Sequence, residues 1–323
     1  MLIDENNQAL GALKEVALAG IVEQRRTRRW NIFFKVIMLI FALLFILSIA
    51  GAMTNMAKLS DPKLSAMVDG EDYAAMVTIS GVIMDGESAS ANNLIPALQK
   101  AFKDESAKGV VLRCNSPGGS PVQSNLVYEE IMRLRDAYPE KKVYAVAEDV
   151  CASGGYYIIA AAQKIFADKS SIVGSIGVRM DSFGFVDVMK KIGVESRQIT
   201  AGKNKALLDP FKPQRPQDIA HLESLLGNTH KHFIDAVKAG RGDRIDVTKN
   251  PDLFSGLFWS GDQAQALGLV DAIGSTRSVA REELKAERLV EFTQQSDIFE
   301  RLSKRLGTSV RSALNSAQDF KLN

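Results

Sequence analysis

The 323-residue sequence has few of the side chains on which many enzymes rely. Two cysteines are too few for a disulfide-rich scaffold or a four-cysteine zinc site. Only three histidines occur, and they lie close together at 221, 230 and 232, which leaves little material for a histidine metal centre or a Ser-His-Asp triad. Lysine and arginine exceed aspartate and glutamate by 40 − 38 = 2, so no overall charge indicates nucleic acid as a partner. An enzyme of this composition needs a base other than histidine, and we expect neither a metal nor a cofactor.

One long hydrophobic run is present near the N-terminus. Residues 36–53 read VIMLIFALLFILSIAGAM and carry no charge. Starting the run at Ile32 gives a helix of about 33 Å, enough to cross a bilayer. Several arginines precede the run between residues 25 and 29, so the positive-inside rule places the N-terminus in the cytoplasm. A cleaved signal peptide is the alternative, because Ala50-Gly51-Ala52 has the A-x-A form, but the length of the run favours an anchor.

After a polar linker, short apolar strands alternate with amphipathic helices. This order predicts an α/β layered domain with parallel strands, in which chemistry gathers in the loops after the strands. The predicted strands are 74–79, 109–113, 142–147 and 164–167, and the predicted helices are 94–102, 122–138 and 156–163. The predicted divisions of the chain are a cytoplasmic tail at 1–29, a transmembrane anchor at 30–53, a linker at 54–70, a catalytic domain at 71–280 and a helical extension at 281–323.

Two glycine-containing loops follow predicted strands. The first reads Asn-Ser-Pro-Gly-Gly-Ser over 115–120, which taken alone is most often a plain turn. The second reads Cys-Ala-Ser-Gly-Gly-Tyr-Tyr over 151–157. There Ser153 can present its hydroxyl beside the Gly154 N–H, although the G-x-S-x-G spacing of a nucleophile elbow is absent. From these residues alone, Ser153 is either a nucleophile or a helix N-cap.

The order and spacing of several motifs resemble the signal peptide peptidase A family, within the Clp protease and crotonase-like superfamily. The resemblance covers roughly residues 74–275 and implies a crotonase/Clp protease-like layered fold and serine endopeptidase activity without a cofactor. The motifs are LRCNSPGG at 112–119, ASGGYY at 152–157, VGSIGV at 173–178, AGKNK at 201–205, GRG at 240–242, GD at 261–262 and LVD at 269–271.

The resemblance also implies a role for each residue of the site. Ser153 corresponds to the nucleophile, and Lys205, which follows it by 205 − 153 = 52 positions, corresponds to the general base. Ser175 would orient the lysine amine. The backbone N–H groups of Gly119 and Gly154 would hold the oxyanion.

The choice of lysine rests on the family spacing. A lysine accepts a proton from serine only when its amine is neutral, and burial away from carboxylates favours that form. Lys203 and Lys205 compete for this role on the residues alone, and the spacing favours Lys205. The resemblance further implies a ring-shaped homo-oligomer in which Lys205 reaches Ser153 of an adjacent subunit. The sequence does not distinguish this arrangement from a dyad within one chain.

Together these features predict a serine endopeptidase anchored by one helix in the inner membrane of a bacterium. The catalytic domain is expected in the periplasm or outside the cell, and the expected substrates are remnant signal peptides. The expected partners are therefore these peptides, the lipid bilayer and further copies of the chain, with no nucleic acid. A crotonase-like enzyme acting on acyl thioesters and a non-catalytic membrane scaffold are the alternatives. The anchor and Lys205 argue against the thioester enzyme.

The two cysteines follow the ends of neighbouring predicted strands. Cys114 and Cys151 could approach closely enough for a disulfide in an oxidising compartment. Because buried free cysteine is common, we expect two separate buried thiols. Cys151 also departs from the family pattern, which has a small residue or methionine at this position.

Overall fold

The computed structural model describes residues 28–45, 48 and 72–293 of a chain that divides into two compact units, Met1–Ser65 and Ala66–Asn323. In the first unit, residues 28–45 form a helix whose large apolar side chains are mostly exposed. Among the described residues, no helix combines the length and the apolar character needed to cross a membrane. The predicted anchor includes residues 46, 47 and 49–53, which lie outside the described residues, as do the predicted linker and the C-terminal stretch 294–323.

The second unit alternates strands and helices, as the sequence predicts. Its strands are β1 (Tyr73–Ser80), β2 (Ala107–Ser116), β3 (Lys142–Ala152), β4 (Lys164–Ala167), β5 (Ile172–Gly174), β6 (Phe258–Ser260), β7 (Ala272–Ile273) and β8 (Arg288–Glu291). Its helices are α1 (Ala91–Lys103), α2 (Pro121–Ala137), α3 (Gly154–Ile159), α4 (Val186–Ile192), α5 (Pro216–Arg241), α6 (Gly261–Ala266) and α7 (Thr276–Glu283), with short 3-10 helices at Gly242–Arg244 and Pro251–Phe254.

The strands form one mostly parallel sheet in the order β6-β5-β3-β2-β1-β8, with β4 paired to both β3 and β7. Only the β5–β6 pair is antiparallel among the described strands. The prediction of an α/β fold with parallel strands is therefore confirmed. β3 pairs with β4 near its start and with β5 near its end, so β5 lies beside the last residues of β3. β8 pairs with β1, so the sheet includes residues beyond 280, where the sequence predicted a helical extension.

The central strands are apolar on both sides because helices cover both faces of the sheet. Val110, Val111 and Leu112 are consecutive in β2 and all are buried, as expected for a parallel strand between two layers. One core lies against α1, α2 and α3, and a smaller one lies against α7. The sheet therefore provides a rigid base for the loops at its carboxyl ends.

Several predicted element boundaries are wrong at the carboxyl ends of the strands. β2 continues to Ser116 and β3 to Ala152, so most of the loop predicted after residue 147 is strand. The helix predicted at 156–163 runs from Gly154 to Ile159. It ends early because the Gln163 side chain accepts a hydrogen bond from the Val143 N–H at 2.8 Å, while the Gln163 N–H donates to the Val143 carbonyl. These bonds attach the last residues of the alanine-rich pattern to the start of β3.

Cys114 and Cys151 form a disulfide, so the prediction of two separate thiols is wrong. β2 and β3 are direct neighbours. Cys114 pairs with Ala147, but an irregularity in the register makes Ser116 pair with Cys151, so the two cysteines come close together. The two Cα atoms are 5.6 Å apart, within the range that a disulfide spans. The sequence showed that the cysteines follow neighbouring strands, but it did not show this register.

Two of the sequence motifs form an ion pair away from the two glycine-containing loops. The fully buried Arg241 donates to Asp271 Oδ2 at 2.8 Å and to the Gly268 carbonyl. Burial acts to raise the pKa of Asp271, but hydrogen bonds from Arg241 and from the Ile165 N–H outweigh it, so this pKa is lowered. The Gly-Arg-Gly and Leu-Val-Asp motifs thus join the end of α5 to β4, and their role is structural.

Candidate active site

Ser153 lies at the junction between β3 and α3. Its φ of +52° places it in a region that residues other than glycine rarely adopt. Its N–H donates to the Gly174 carbonyl at 2.8 Å, and its carbonyl accepts from the Tyr157 N–H at 2.9 Å. Although Ser153 occupies the N-cap position, its side chain makes no capping hydrogen bond. The strained backbone therefore presents a hydroxyl that the helix does not use, as is common at functional sites.

Two backbone N–H groups, those of Gly119 and Gly154, lie close to Ser153. Ile83 bonds to both neighbours of Gly119, since its N–H donates to the Gly118 carbonyl and its carbonyl accepts from Ser120, so the Gly119 N–H faces away from Ile83. Gly154 is the first residue of α3, where an N–H has no partner within the helix. The two groups are close, because a Cβ placed on Gly154 would lie 3.2 Å from the Gly119 nitrogen. The structure thus brings together Ser153 and both predicted oxyanion donors.

The first glycine loop is held by side chains that the sequence analysis did not single out. Ser116 Oγ donates to the Gly81 carbonyl at 2.6 Å and accepts from the Gly118 N–H at 3.1 Å. Ser120 caps α2 by accepting from the Gln123 N–H. Gly118 packs directly on the second loop, since a Cβ there would lie 2.7 Å from Ser153 Cβ. Ser116 belongs to a recognised motif, but nothing in the sequence identified its two partners.

Ser175 lies next to this arrangement, as predicted. It follows β5, whose last residue Gly174 pairs with Ala152, the residue before Ser153. Its N–H donates to the Leu257 carbonyl at 2.7 Å, which fixes a backbone with φ of +52°. Ser153, Ser175, Gly119 and Gly154 all line one cavity of about 760 Å³. Four of the five predicted site residues therefore share one space.

Lys205 is not brought to this cavity. Among the described residues that line it, Lys205 is absent, and the lysine side chain is exposed in a loop that precedes α5. Lys203, the competing lysine, lines a separate cavity of about 230 Å³. Within the described part of one chain, Ser153 thus shares the cavity with both predicted oxyanion donors but not with the predicted base.

Lys205 belongs to a segment with little contact to the rest of the domain, residues 178–215, here called the arm. No residue from 178 to 232 is buried. The arm exposes large apolar side chains, with Ile199 100% and Phe183 76% accessible. Exposed apolar surface of this extent is typical of protein–protein contacts.

The cavity beside Ser153 is lined by polar and apolar groups in nearly equal measure. Val82, Phe233 and Phe258 contribute to its walls, and Phe233 stacks on Tyr157 with ring centroids 4.7 Å apart. Burial raises the pKa of Tyr157 to about 12, so this phenol remains neutral at physiological pH. Arg179, which also lines the cavity, lies in an exposed ion pair. Within the described residues, no group of three or more histidine, cysteine or acidic side chains is placed to hold a metal ion.

Helix α5 also contributes residues to the surroundings of the site. Thr229 and Phe233 line the cavity. His230 is half-buried, and its Nε2 lies 3.0 Å from the carbonyl oxygen of Ile176, the residue after Ser175. No motif marks these positions, because they reach the site only through the packing of α5 against the loop after β5.

The chain is similar to one peptidase family and to several known proteins. The sequence profile of Peptidase family S49 matches residues 135–291. The chain is similar to a protein named Na(+)/H(+) antiporter NhaA from Brucella abortus (46% identity over 239 residues, 72% of this chain and 32% of that protein). It is similar to Serine protease SPPA, chloroplastic, from Arabidopsis thaliana (30% over 261 residues, 76% and 38%). A Synechocystis protein whose name describes it as a protease is 30% identical over 201 residues, 62% of this chain and 69% of that protein. The chain thus spans about a third of the length of the Brucella relative.

Proposed function

Since this chain belongs to peptidase family S49, the family of signal peptide peptidase A, we propose that it is a serine endopeptidase with Ser153 as its nucleophile. One observation carries this proposal. Ser153 has a positive φ, and its hydroxyl makes no hydrogen bond to the start of α3. It lies beside the backbone N–H groups of Gly119 and Gly154. Acyl transfer needs a nucleophile and oxyanion donors in this arrangement.

The proposed reaction has two steps. Ser153 Oγ attacks the substrate carbonyl carbon while its proton passes to the neutral amine of Lys205. The Gly119 and Gly154 N–H groups stabilise the resulting oxyanion, and the lysine returns the proton to the leaving amine as the peptide bond breaks. A water molecule, deprotonated by the same lysine, then attacks the acyl-enzyme carbonyl carbon, and the lysine returns that proton to Ser153 Oγ as the ester bond breaks. The Ser175 hydroxyl orients the lysine amine.

A fluorophosphonate probe tests the nucleophile. It should label the wild-type protein and leave Ser153→Ala unlabelled, and peptide hydrolysis should disappear with the labelling. The matched control is Ser170→Ala, an exposed serine away from the cavity, which should be labelled at the wild-type rate. Equal labelling of Ser153→Ala and wild type would exclude Ser153 as the nucleophile.

We further propose that the base is supplied by a neighbouring copy of the chain in a ring-shaped homo-oligomer. Two observations support this: Lys205 is exposed away from the cavity of its own chain, and the arm that carries it exposes apolar side chains. A closed ring needs a repeating contact between different surfaces, and the arm offers one of them. In the ring, contact with a neighbour would remove Lys205 from water and bring its amine to the cavity that lacks a base.

Mixing two inactive proteins tests the shared site. Ser153→Ala and Lys205→Ala subunits are allowed to exchange, and hydrolysis is measured once mixed oligomers are confirmed by native mass spectrometry. Some interfaces then combine an intact serine with an intact lysine, so part of the activity should return. Mixed oligomers that remain inactive would place both residues in one chain.

The proposed location is the bacterial inner membrane, with the catalytic domain outside the cytoplasm and remnant signal peptides as substrates. The exposed apolar side chains of helix 28–45 support an anchor. The Cys114–Cys151 disulfide supports an oxidising compartment. Val82, Phe233 and Phe258 in the cavity wall offer contacts to the apolar side chains of an extended peptide. Protease added to intact spheroplasts should digest the catalytic domain, and a domain that remains protected until lysis would contradict this location.

A further inference from the structure

The Cys114–Cys151 disulfide lies where the pairing of β2 and β3 is interrupted. Cys114 pairs with Ala147, and the next pair is Ser116 with Cys151. One residue of β2 therefore faces three residues of β3, 148–150. The regular ladder of backbone hydrogen bonds between β2 and β3 is therefore interrupted just before the two loops that form the site.

The disulfide connects the segments that carry the two halves of the oxyanion site. Cys151 is two residues before Ser153, and Cys114 is five residues before Gly119. Both cysteines are fully buried. The disulfide also packs against α3, the helix that follows Ser153, because a Cβ placed on Gly155 in that helix would lie 3.2 Å from Cys114 Sγ. A change in the distance between the two cysteines would thus move both loops.

The polar contacts across the same interruption are weaker. Asn115 Nδ2 donates to Asp149 Oδ2 at 2.9 Å in an exposed position, and the Val150 N–H donates to Asn115 Oδ1 at 3.3 Å. The Arg113 guanidinium of β2 also donates to both oxygens of the Glu148 carboxylate, each at 2.7 Å. These contacts are exposed or only partly buried, so water competes with them. The disulfide is covalent and buried, so it supplies here the connection that the ladder lacks.

We propose that the Cys114–Cys151 disulfide is a positioning element of the active site. It sets the distance between the Gly119 N–H on one loop and Ser153 with the Gly154 N–H on the other. Oxyanion stabilisation depends on this distance in the transition state, whereas the cavity that binds the peptide has other walls. Loss of the cross-link therefore lowers kcat with little change in KM. The inference rests on the proposed peptidase function, which Ser153→Ala tests separately.

Two cross-link-free proteins test this inference. One is the double variant Cys114→Ala/Cys151→Ala. The other is the wild-type chain unfolded, reduced by a dithiol and refolded without oxygen, which retains every side chain. In the reduction each sulfur takes up one electron and one proton, and the dithiol is oxidised to its own disulfide. Thiols are counted after unfolding, and kcat, KM and the rate of fluorophosphonate labelling are measured well below the melting temperature of every protein.

The expected result is the same for both proteins. The value of kcat and the labelling rate fall by about tenfold or more, because displacements of about 1 Å at a reacting centre cost up to about 10²-fold. KM stays within about twofold of the wild-type value, since only transition-state stabilisation is lost. Re-oxidation of the reduced wild-type protein restores both rates.

A matched control separates positioning from stability. Val290→Ala removes buried side-chain atoms in β8, on the far side of β1 from β3, and should lower the melting temperature without changing kcat. Wild-type kcat and labelling rate in both cross-link-free proteins would overturn the inference, because the disulfide would then only stabilise the domain. If neither cross-link-free protein folds, the inference is also overturned, because the disulfide would then be needed for stability and not for positioning. An oxidised wild-type protein without Ser153-dependent hydrolysis would overturn the proposed function and this inference together.

Discussion

The substitution Gly119→Ala tests how closely the first loop must approach its neighbours. Gly119 has a φ of +154°, and a Cβ added there would lie 2.1 Å from the Ile83 carbonyl oxygen. Non-bonded heavy atoms are at their best separation near 3.5 Å, so the loop or the Ile83 segment must shift by about 1 Å or more. Ile83 is fully buried and bonded to both neighbours of Gly119, so the loop moves more easily than the segment behind it.

The size of the effect follows from the role of the Gly119 N–H. Loss of one oxyanion donor lowers kcat by about 10²–10³, or about 3–4 kcal/mol. A shift of about 1 Å at a reacting centre gives a loss of similar size, about 10²-fold. We therefore expect kcat for peptide hydrolysis to fall by about 10²-fold or more with KM nearly unchanged, because the donor acts mainly on the transition state.

The assay compares kcat, KM and melting temperature of Gly119→Ala with those of a matched glycine variant. Gly227→Ala lies within α5, where an added Cβ meets no atom within 4 Å. It should leave kcat unchanged and stabilise the protein by up to about 1 kcal/mol, since alanine favours the helix. A folded Gly119→Ala protein whose kcat stays within about threefold of wild type would refute the assignment of this N–H as a donor.

Three further predictions concern stability and the base. Because the pKa of Asp271 is lowered in the folded protein, the stability it contributes is present above about pH 4 and lost as the pH falls below that value. Asp271→Asn should therefore lower the unfolding free energy by about 3 kcal/mol at pH 7, measured by urea unfolding, and by progressively less as the pH falls below about 4; a loss that stays equal as the pH falls would contradict this. Gly240→Ala in α5 should lower the unfolding free energy by about 1–3 kcal/mol by the same measurement, because the added Cβ would lie 1.9 Å from the carbonyl oxygen of Ala160, the residue after α3. An unchanged unfolding free energy would show that α5 can move away from this residue without cost. Lys205→Ala should abolish peptide hydrolysis and Lys203→Ala should retain most of it, while comparable losses would mean that the base is misassigned.

Much of the fold followed from local patterns in the sequence. Runs such as Val110–Leu112 are buried on both faces of a sheet, and such runs can be recognised without knowing their partners. The positions of Ser153 and Gly119 followed in the same way, because parallel strands place the loops at their carboxyl ends at one edge of the sheet. The ends of the strands could not be predicted as well, since pairing with neighbours extended β3 to Ala152.

The sequence by itself determined the α/β class and the two glycine-containing loops at the carboxyl ends of the strands, because hydrophobic periodicity and glycine positions are local properties. Only the tertiary structure decided the pairing of Cys114 with Cys151, the contact of Ile83 with the neighbours of Gly119, and the position of Lys205 away from its own cavity. These features depend on strand register and on how residues far apart in the chain pack. A shift of one residue in register would change each contact without altering the hydrophobic pattern along either strand.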